Sequence, residues 1–279
     1  NILLFSEHTW GAYSSKSDPD KDFARSQWDV KKSFADNAEK QMKSLIDKSF
    51  DKIKQADKAV NSFLVFNTCS WERSELVKIP ADWKVAGLTV VNDKGVALPT
   101  QTLSTGELAF TADHIPPFSA ARFSLQQQAA KTATPKVNIS DASLSNEWLR
   151  VTLDKSTGAI SSIRHKSIPY NLVDSTDQFG FNQYWYTGAN AANPRSSSNP
   201  VIKVKENGPL LASFVVTADA PGASQFSREI QLSAGIDRVD ITNFVDKQKV
   251  LADENLRFSF PFNVPEGQVR IDLAWALMR

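Results

Sequence analysis

The sequence predicts a mainly β protein with an α-helical segment at its N-terminus. Between Pro19 and Pro80 there is no proline, and between Gly11 and Gly87 there is no glycine, so one long interval lacks the two residues that most disfavour helix. Beyond this interval, short apolar runs of strand length alternate with turn sequences. The predicted domains are residues 1–60, 61–128 and 136–279.

The glycine-free interval predicts one long amphipathic helix over residues 18–58. Asp18 supplies a candidate cap, and Pro19 suits a first helical turn. Apolar residues then recur at roughly helical spacing, with Lys, Asp and Gln between them. They are Trp28, Phe34, Ala38, Met42, Leu45, Ile46, Phe50 and Ile53. Forty residues of helix would span about 60 Å, so the apolar face of this helix predicts a packing partner.

The rest of the chain predicts two β domains joined by a linker. Strand-like runs at residues 63–66, 88–91 and 121–125, separated by turn signals, predict a small β domain. Residues 126–135 have low complexity and no apolar pattern, which is typical of a linker. Seven later runs predict a β-sandwich. They are residues 149–153, 160–163, 201–204, 210–217, 226–232, 239–245 and 256–262.

The composition excludes several classes of protein. Thirty-two Lys and Arg are mixed with 31 Asp and Glu, so the clustered basic face of a nucleic-acid-binding protein is not expected. No apolar run reaches about 18 residues, so no transmembrane helix is predicted. Cys69 is the only cysteine, which excludes an intrachain disulfide and a multi-thiolate metal site. Neither nucleic acid nor a membrane is therefore an expected partner, and the compartment is not specified.

One of the three histidines is a candidate for metal chemistry. His8 lies in residues 7–12 (Glu-His-Thr-Trp-Gly-Ala), just after an apolar strand-like run. Two interpretations stay open, a buried loop histidine and a metal ligand or general acid at a strand end. A catalytic zinc typically takes three protein ligands, so the others would precede Asn1. The residues around His114 favour a loop role for it. His165 is expected to be a solvated histidine at the end of a strand.

The aromatic-rich residues 179–188 are a second candidate. Aromatic rings with polar tips suit sugar faces and hydroxyls, while packing of alternate rings into a core explains the pattern equally well. A retaining glycosidase needs two carboxyl groups about 5–5.5 Å apart, and sequence spacing cannot show such a pair. The carboxylates considered are Glu7, Glu72, Asp154, Asp237, Asp240 and Glu254.

Five segments, in order, resemble the glycoside hydrolase family 38 α-mannosidases. Residues 7–12 look like the end of the family's catalytic barrel, and the helix with Trp28 looks like the start of its helical bundle. Residues 65–73 look like the strand that opens a small β-sandwich. The most specific match is residues 146–163, which look like the first hairpin of a large C-terminal sandwich related to galactose-mutarotase folds. Residues 254–262 look like a family strand that ends in Phe-Pro-Phe.

The resemblance implies a zinc-dependent retaining enzyme that cleaves terminal α-linked mannose from oligosaccharides or glycans. His8 matches by position the last histidine ligand of zinc. The nucleophile and the other ligands are expected on an N-terminal catalytic barrel before Asn1, so this chain is expected to be an inactive piece with no catalytic residue of its own. Tyr184 is similar in place to a sandwich tyrosine that contacts the sugar, which makes it the expected substrate-binding residue.

The resemblance also leaves alternatives open. Many members have His-His-Asp where this chain has Glu7, His8 and Thr9, so another α-linked sugar stays open as the substrate. A non-catalytic carbohydrate-binding or scaffolding β module is the main alternative to an enzyme. The third interpretation is a bacterial surface protein of stacked β domains, in which His8 would have no role in a pocket. Export is compatible with a glycan-degrading role, but no residue indicates it.

Overall fold

A computed structural model describes residues 2–5, 13–56, 61–129, 131, 137–189, 193–268, 270–273 and 276–278. The chain divides into two compact units, Asn1–Val60 and Asn61–Arg279. The predicted fold class, mainly β with an N-terminal helical segment, is confirmed. Among the described residues, no helix combines the length and the apolar composition that crossing a membrane requires.

The first unit contains a short helix, α1 (Ile2–Phe5), and a long one, α2 (Asp22–Ala56). The apolar run before His8 was interpreted as strand-like, and this was wrong, because its residues 2–5 are helical. The long helix begins four residues later than predicted, with the Asp22 carboxylate in its first turn, where the helix dipole favours negative charge. Within this unit the side chains of Leu45 and Ile46, on the predicted apolar face, are exposed.

Residues 61–126 form two antiparallel sheets of three strands each, in the orders β1-β6-β3 and β2-β5-β4. The strands are β1 (Ser62–Asn67), β2 (Arg73–Ile79), β3 (Thr89–Asn92), β4 (Thr100–Thr102), β5 (Leu108–Ile115) and β6 (Ser119–Gln126). Phe63, Phe110 and Phe123 pack between the sheets, and the Phe110 and Phe123 ring centroids are 4.9 Å apart. Aromatic side chains therefore supply much of this core.

The remaining strands form further antiparallel sheets. They are β7 (Asn138–Ser140), β8 (Ser143–Ser145), β9 (Leu149–Leu153), β10 (Ile160–His165), β11 (Gln183–Thr187), β12 (Arg195–Ser196), β13 (Ser198–Asn207), β14 (Leu211–Asp219), β15 (Ala223–Ser233), β16 (Val239–Lys247), β17 (Asn255–Ser259), β18 (Ile271–Leu273) and β19 (Ala276–Met278). Their sheet orders are β10-β9-β8-β7, β13-β14-β15-β16, β12-β11-β17 and β18-β19. One core packs the first two sheets against each other, with Leu144, Val151, Phe214 and Ile230 buried in it.

The predicted hairpin turn between β9 and β10 is confirmed. Asp154 Oδ1 accepts hydrogen bonds from the main-chain N–H groups of Ser156 (2.6 Å) and Thr157 (3.2 Å), which closes the turn. Gly158 has φ +68°, and a Cβ there would lie 2.6 Å from Val216 Cγ1. Glycine is required at this position by both conformation and space.

We call the two sheets of residues 61–126 the small sandwich, and the two packed sheets formed by β7–β10 and β13–β16 the large sandwich. The buried side chain of Gln101 joins the two sandwiches. Its Oε1 accepts from the main-chain N–H groups of Leu210 (3.0 Å) and Leu211 (2.9 Å), and its Nε2 donates to the Leu211 carbonyl (3.0 Å). Gly208 faces the same amide, because a Cβ there would lie 2.2 Å from Gln101 Cδ. The two sandwiches therefore share a buried polar contact.

A second contact at this junction is ionic. Both carboxylate oxygens of Glu75 on β2 accept from the Arg238 guanidinium, at 3.0 and 3.1 Å, and one also accepts from Arg73 at 2.7 Å. The hydrogen bonds from Arg238 are the main reason that the pKa of Glu75 lies below its usual value. Charge pairing thus supports the same junction.

Candidate functional site

The aromatic-rich segment forms the central strand of the sheet β12-β11-β17. Tyr184 pairs with Phe258 and Tyr186 with Leu256 in the antiparallel register. Because successive side chains of a strand point to opposite faces, Tyr184 and Tyr186 are buried while Trp185 between them is only half-buried. The segment therefore combines core packing with one outward ring.

Tyr184 is completely buried in the described structure. Its ring packs against Phe226 (centroids 5.1 Å apart) and Phe258 (5.8 Å), and its hydroxyl donates to the Pro221 carbonyl. Burial raises its pKa to about 12. The Tyr184 hydroxyl thus has a hydrogen-bond partner within the protein. Its contact with a sugar remains a prediction.

The outward ring of this strand belongs to a small aromatic surface. Trp185 meets Phe179 edge to face, with ring centroids 4.8 Å apart and an interplanar angle of 90°. The Arg257 guanidinium carbon lies 5.5 Å from the Phe179 centroid, and the Trp185 indole N–H donates to Ser259 Oγ at 3.2 Å. Half-exposed rings beside a cation are compatible with sugar stacking.

Tyr186 on β11 belongs to a polar cluster with Glu254, which directly precedes β17, and Lys247, the last residue of β16. Its hydroxyl donates to Glu254 Oε2 at 2.7 Å, and Lys247 Nζ lies 2.6 Å from Glu254 Oε1. The hydrogen bond to Glu254 raises the pKa of Tyr186, and the bond from Lys247 lowers the pKa of Glu254. Each of these groups thus already has a partner, as expected of a structural cluster.

The candidate zinc ligand His8 lies outside the described residues. Among the residues that the structure describes, no group of three or more His, Cys, Asp or Glu side chains could hold a metal ion. His114 Nδ1 hydrogen-bonds Glu72 Oε1 at 2.7 Å, which is the main reason that its pKa is raised. The described part of the chain therefore does not itself provide a zinc site.

His165 lines a surface groove that the sequence did not predict. An open, largely apolar groove of about 460 Å³ lies beside it, with Phe181, Phe260 and Phe262 among its lining residues. The His165 side chain is only 13% exposed, and its Nε2 hydrogen-bonds Asp237 Oδ2 at 3.0 Å. The predicted solvated histidine is therefore wrong, because the Trp148 ring, which stacks on His165 with centroids 6.2 Å apart, and Asp237 shield the imidazole from solvent.

The family of the C-terminal sandwich follows from its sequence. Residues 144–278 match the model of the Glycosyl hydrolases family 38 C-terminal domain. This part of the chain is a glycosyl hydrolase family 38 C-terminal domain. The match begins in β8 and ends in β19, so it spans the hairpin and the aromatic strand described above.

A solved structure shows the same fold. The chain superimposes on a crystal structure of a protein in glycosyl hydrolase family 38 from Enterococcus faecalis, with a TM-score of 0.62 and 13% sequence identity. The match covers 85% of this chain and 37% of that protein, so this chain spans well under half of the length of its structural relative. No curated protein matches the chain.

Proposed function

We propose that this family 38 domain belongs to a zinc-dependent retaining glycoside hydrolase that removes terminal α-linked mannose from oligosaccharides or glycans. The family match over residues 144–278 supports this proposal most strongly. The order of the predicted segments, from the barrel end to the Phe-Pro-Phe strand, agrees with it. The proposed role of this chain is to support the active site, since the catalytic nucleophile is proposed to lie on an N-terminal barrel that precedes Asn1.

His8 is the proposed zinc ligand of this chain. Neutral imidazole is a common zinc ligand, and zinc in a glycosidase would polarise hydroxyl groups of the sugar. The described residues offer no alternative cluster for the metal. The zinc proposal for this chain therefore rests on His8 alone, together with ligands outside the chain.

The described residues would act by holding the sandwich rigid beside such an active site. Tyr184 is the proposed substrate-binding residue, and its strand is fixed by the pairing with β17 and by the hydroxyl bond to Pro221. A sugar contact would require that bond to be exchanged. Catalytic constellations are most precise when rigid elements carry them, which agrees with a supporting role for this sheet.

A non-catalytic carbohydrate-binding module is the second candidate. The half-exposed Trp185 and Phe179 rings beside Arg257 favour it, because such surfaces can stack on sugars without catalysis. The two functions differ in a simple way. An enzyme consumes its glycan, whereas a binding module leaves the glycan intact.

The test is hydrolysis by the whole protein that contains this chain. Aryl α-mannoside is compared with aryl α-glucoside and α-galactoside, and the first-formed anomer is followed by proton NMR. The proposal predicts preferential cleavage of the mannoside and release of α-mannose first. Release of β-mannose would contradict retention, and cleavage of another sugar would contradict the specificity. Glycan binding without any hydrolysis would support the binding module instead.

A further inference from the structure

Arg228 is a charged residue in the middle of an apolar row. It lies on β15, where Phe226, Ile230 and Leu232 point to the same face and are buried. Arg228 itself is 1% exposed and is the largest fully buried side chain among the described residues. The strand therefore places a guanidinium group inside the sandwich.

The guanidinium of Arg228 is incompletely paired. One nitrogen, Nη1, donates to the Asn182 carbonyl at 2.6 Å, and the guanidinium carbon lies 5.0 Å from the centroid of the Phe226 ring. Nε and Nη2 are buried and have no hydrogen-bond partner. Within the described part of the chain, no carboxylate forms an ion pair with it. Buried donors and charges are normally paired. Nε and Nη2 of Arg228 therefore lack the hydrogen-bond acceptor that such groups usually have.

Arg228 stays charged at neutral pH despite its burial. Loss of solvent lowers its pKa to about 10, and burial is the only cause of this shift. An acid beside it would raise the pKa instead, as Glu75 does for Arg238. The sandwich thus carries an uncompensated positive charge, which is strongly unfavourable in a low-dielectric interior.

Two asparagines beside Arg228 add further N–H donors. Asn243 pairs with Arg228 across β15 and β16, and Asn182 supplies the carbonyl that Arg228 binds. Their side-chain amides bond each other reciprocally, at 2.8 and 3.2 Å. Each amide nitrogen carries two hydrogens, so one hydrogen on each remains for another acceptor. The cluster is therefore rich in donors and short of acceptors.

We propose that Arg228, with Asn182 and Asn243, binds a small monovalent anion such as chloride inside the sandwich. The anion accepts hydrogen bonds from Nε and Nη2 of Arg228 and from the amides, and it neutralises the buried charge. The bond from Arg228 to Asn182 holds the main chain directly before β11. The anion is thus a structural ligand that fixes the start of the aromatic strand.

The first test is the chloride dependence of thermal unfolding. The whole protein is heated in mixtures of sodium gluconate and sodium chloride at a constant total of about 300 mM. A ligand that binds only the folded state raises the melting temperature in a saturable way, by about 3–6 °C if its Kd is about 30 mM. In Arg228→Met, where an apolar chain fills the site, we expect no chloride response. The exposed Arg150 on β9 provides the matched control, because Arg150→Met should respond like the wild type.

A second test does not require that variant to fold. Crystals of the wild-type protein grown in sodium bromide should show an anomalous peak within hydrogen-bonding distance of Arg228 Nε or Nη2. A wild type that melts independently of chloride and shows no such peak would overturn the proposal. A chloride response that persists in Arg228→Met would overturn it too. Because neither readout depends on sugar hydrolysis, failure of the proposed function leaves this test unaffected.

Discussion

Replacement of Gln101 by methionine tests the junction between the two sandwiches. Methionine has a similar length but cannot make the three hydrogen bonds of the amide to Leu210 and Leu211. At about 1 kcal/mol for each bond, the free energy of unfolding should fall by about 3 kcal/mol. For a unit of this size that corresponds to a melting temperature lower by roughly 6–12 °C. The assay is thermal unfolding followed by near-ultraviolet circular dichroism.

A matched control separates this effect from the general cost of the substitution. Gln225 on β15 is exposed, so Gln225→Met should change the melting temperature by less than about 2 °C. If Gln101→Met unfolds at the same temperature as Gln225→Met, the buried amide does not stabilise the junction, and the reasoning is refuted. A single cooperative transition in the wild type would agree with two sandwiches that unfold together.

The further predictions concern the contributions of three residues, Tyr184, Glu75 and Gly222, to stability. Tyr184→Phe should lower the free energy of unfolding by about 1 kcal/mol through loss of one hydrogen bond, whereas a raised KM with unchanged stability would indicate a sugar contact. Because the pKa of Tyr184 is raised to about 12 in the folded state, the wild type should lose stability as the pH rises from about 10 to about 12, and a pH titration of Tyr184→Phe should show a smaller loss. Because the pKa of Glu75 is lowered on folding, its contribution is present above the unfolded pKa of about 4.5 and is lost as the pH falls through the folded value, so acid titration of Glu75→Gln should give a flatter curve. Gly222→Ala should be destabilised, since Gly222 has φ +77° and a Cβ would lie 2.4 Å from the Tyr186 ring; a denaturation midpoint equal to that of the wild type would contradict this.

Periodicity predicted much of the fold from local signals. The hairpin of β9 and β10 was found because alternating apolar residues flank a glycine turn, and both features are local. The run at residues 256–262 was predicted too long, since β17 ends at Ser259, and Pro261 shortly beyond it lacks the N–H that a strand ladder needs. The strand β2 was missed because its charged residues at the sandwich junction hide the apolar pattern.

The candidate site was less predictable. The inward position of Tyr184 depends on which face of β11 meets the core, and sequence alone left this open. The cluster of Arg228, Asn182 and Asn243 does carry a signal in the sequence. An arginine at position 228 occupies an inward position of a strand in which Phe226 and Ile230 are apolar. The groove beside His165 involves strands that are far apart in the sequence, so no local pattern could have indicated it.

The most direct test of the proposed function is the zinc content of the whole protein, measured together with α-mannosidase activity, for wild type and for His8→Ala. His114→Ala is the matched control, because the His114 imidazole is exposed and contacts the acidic side chains of Glu72 and Asp113 in the small sandwich. The proposal predicts about one zinc per wild-type and His114→Ala molecule, both active, and loss of metal and activity in His8→Ala with an unchanged circular dichroism spectrum. Full zinc occupancy and full activity in His8→Ala would contradict it.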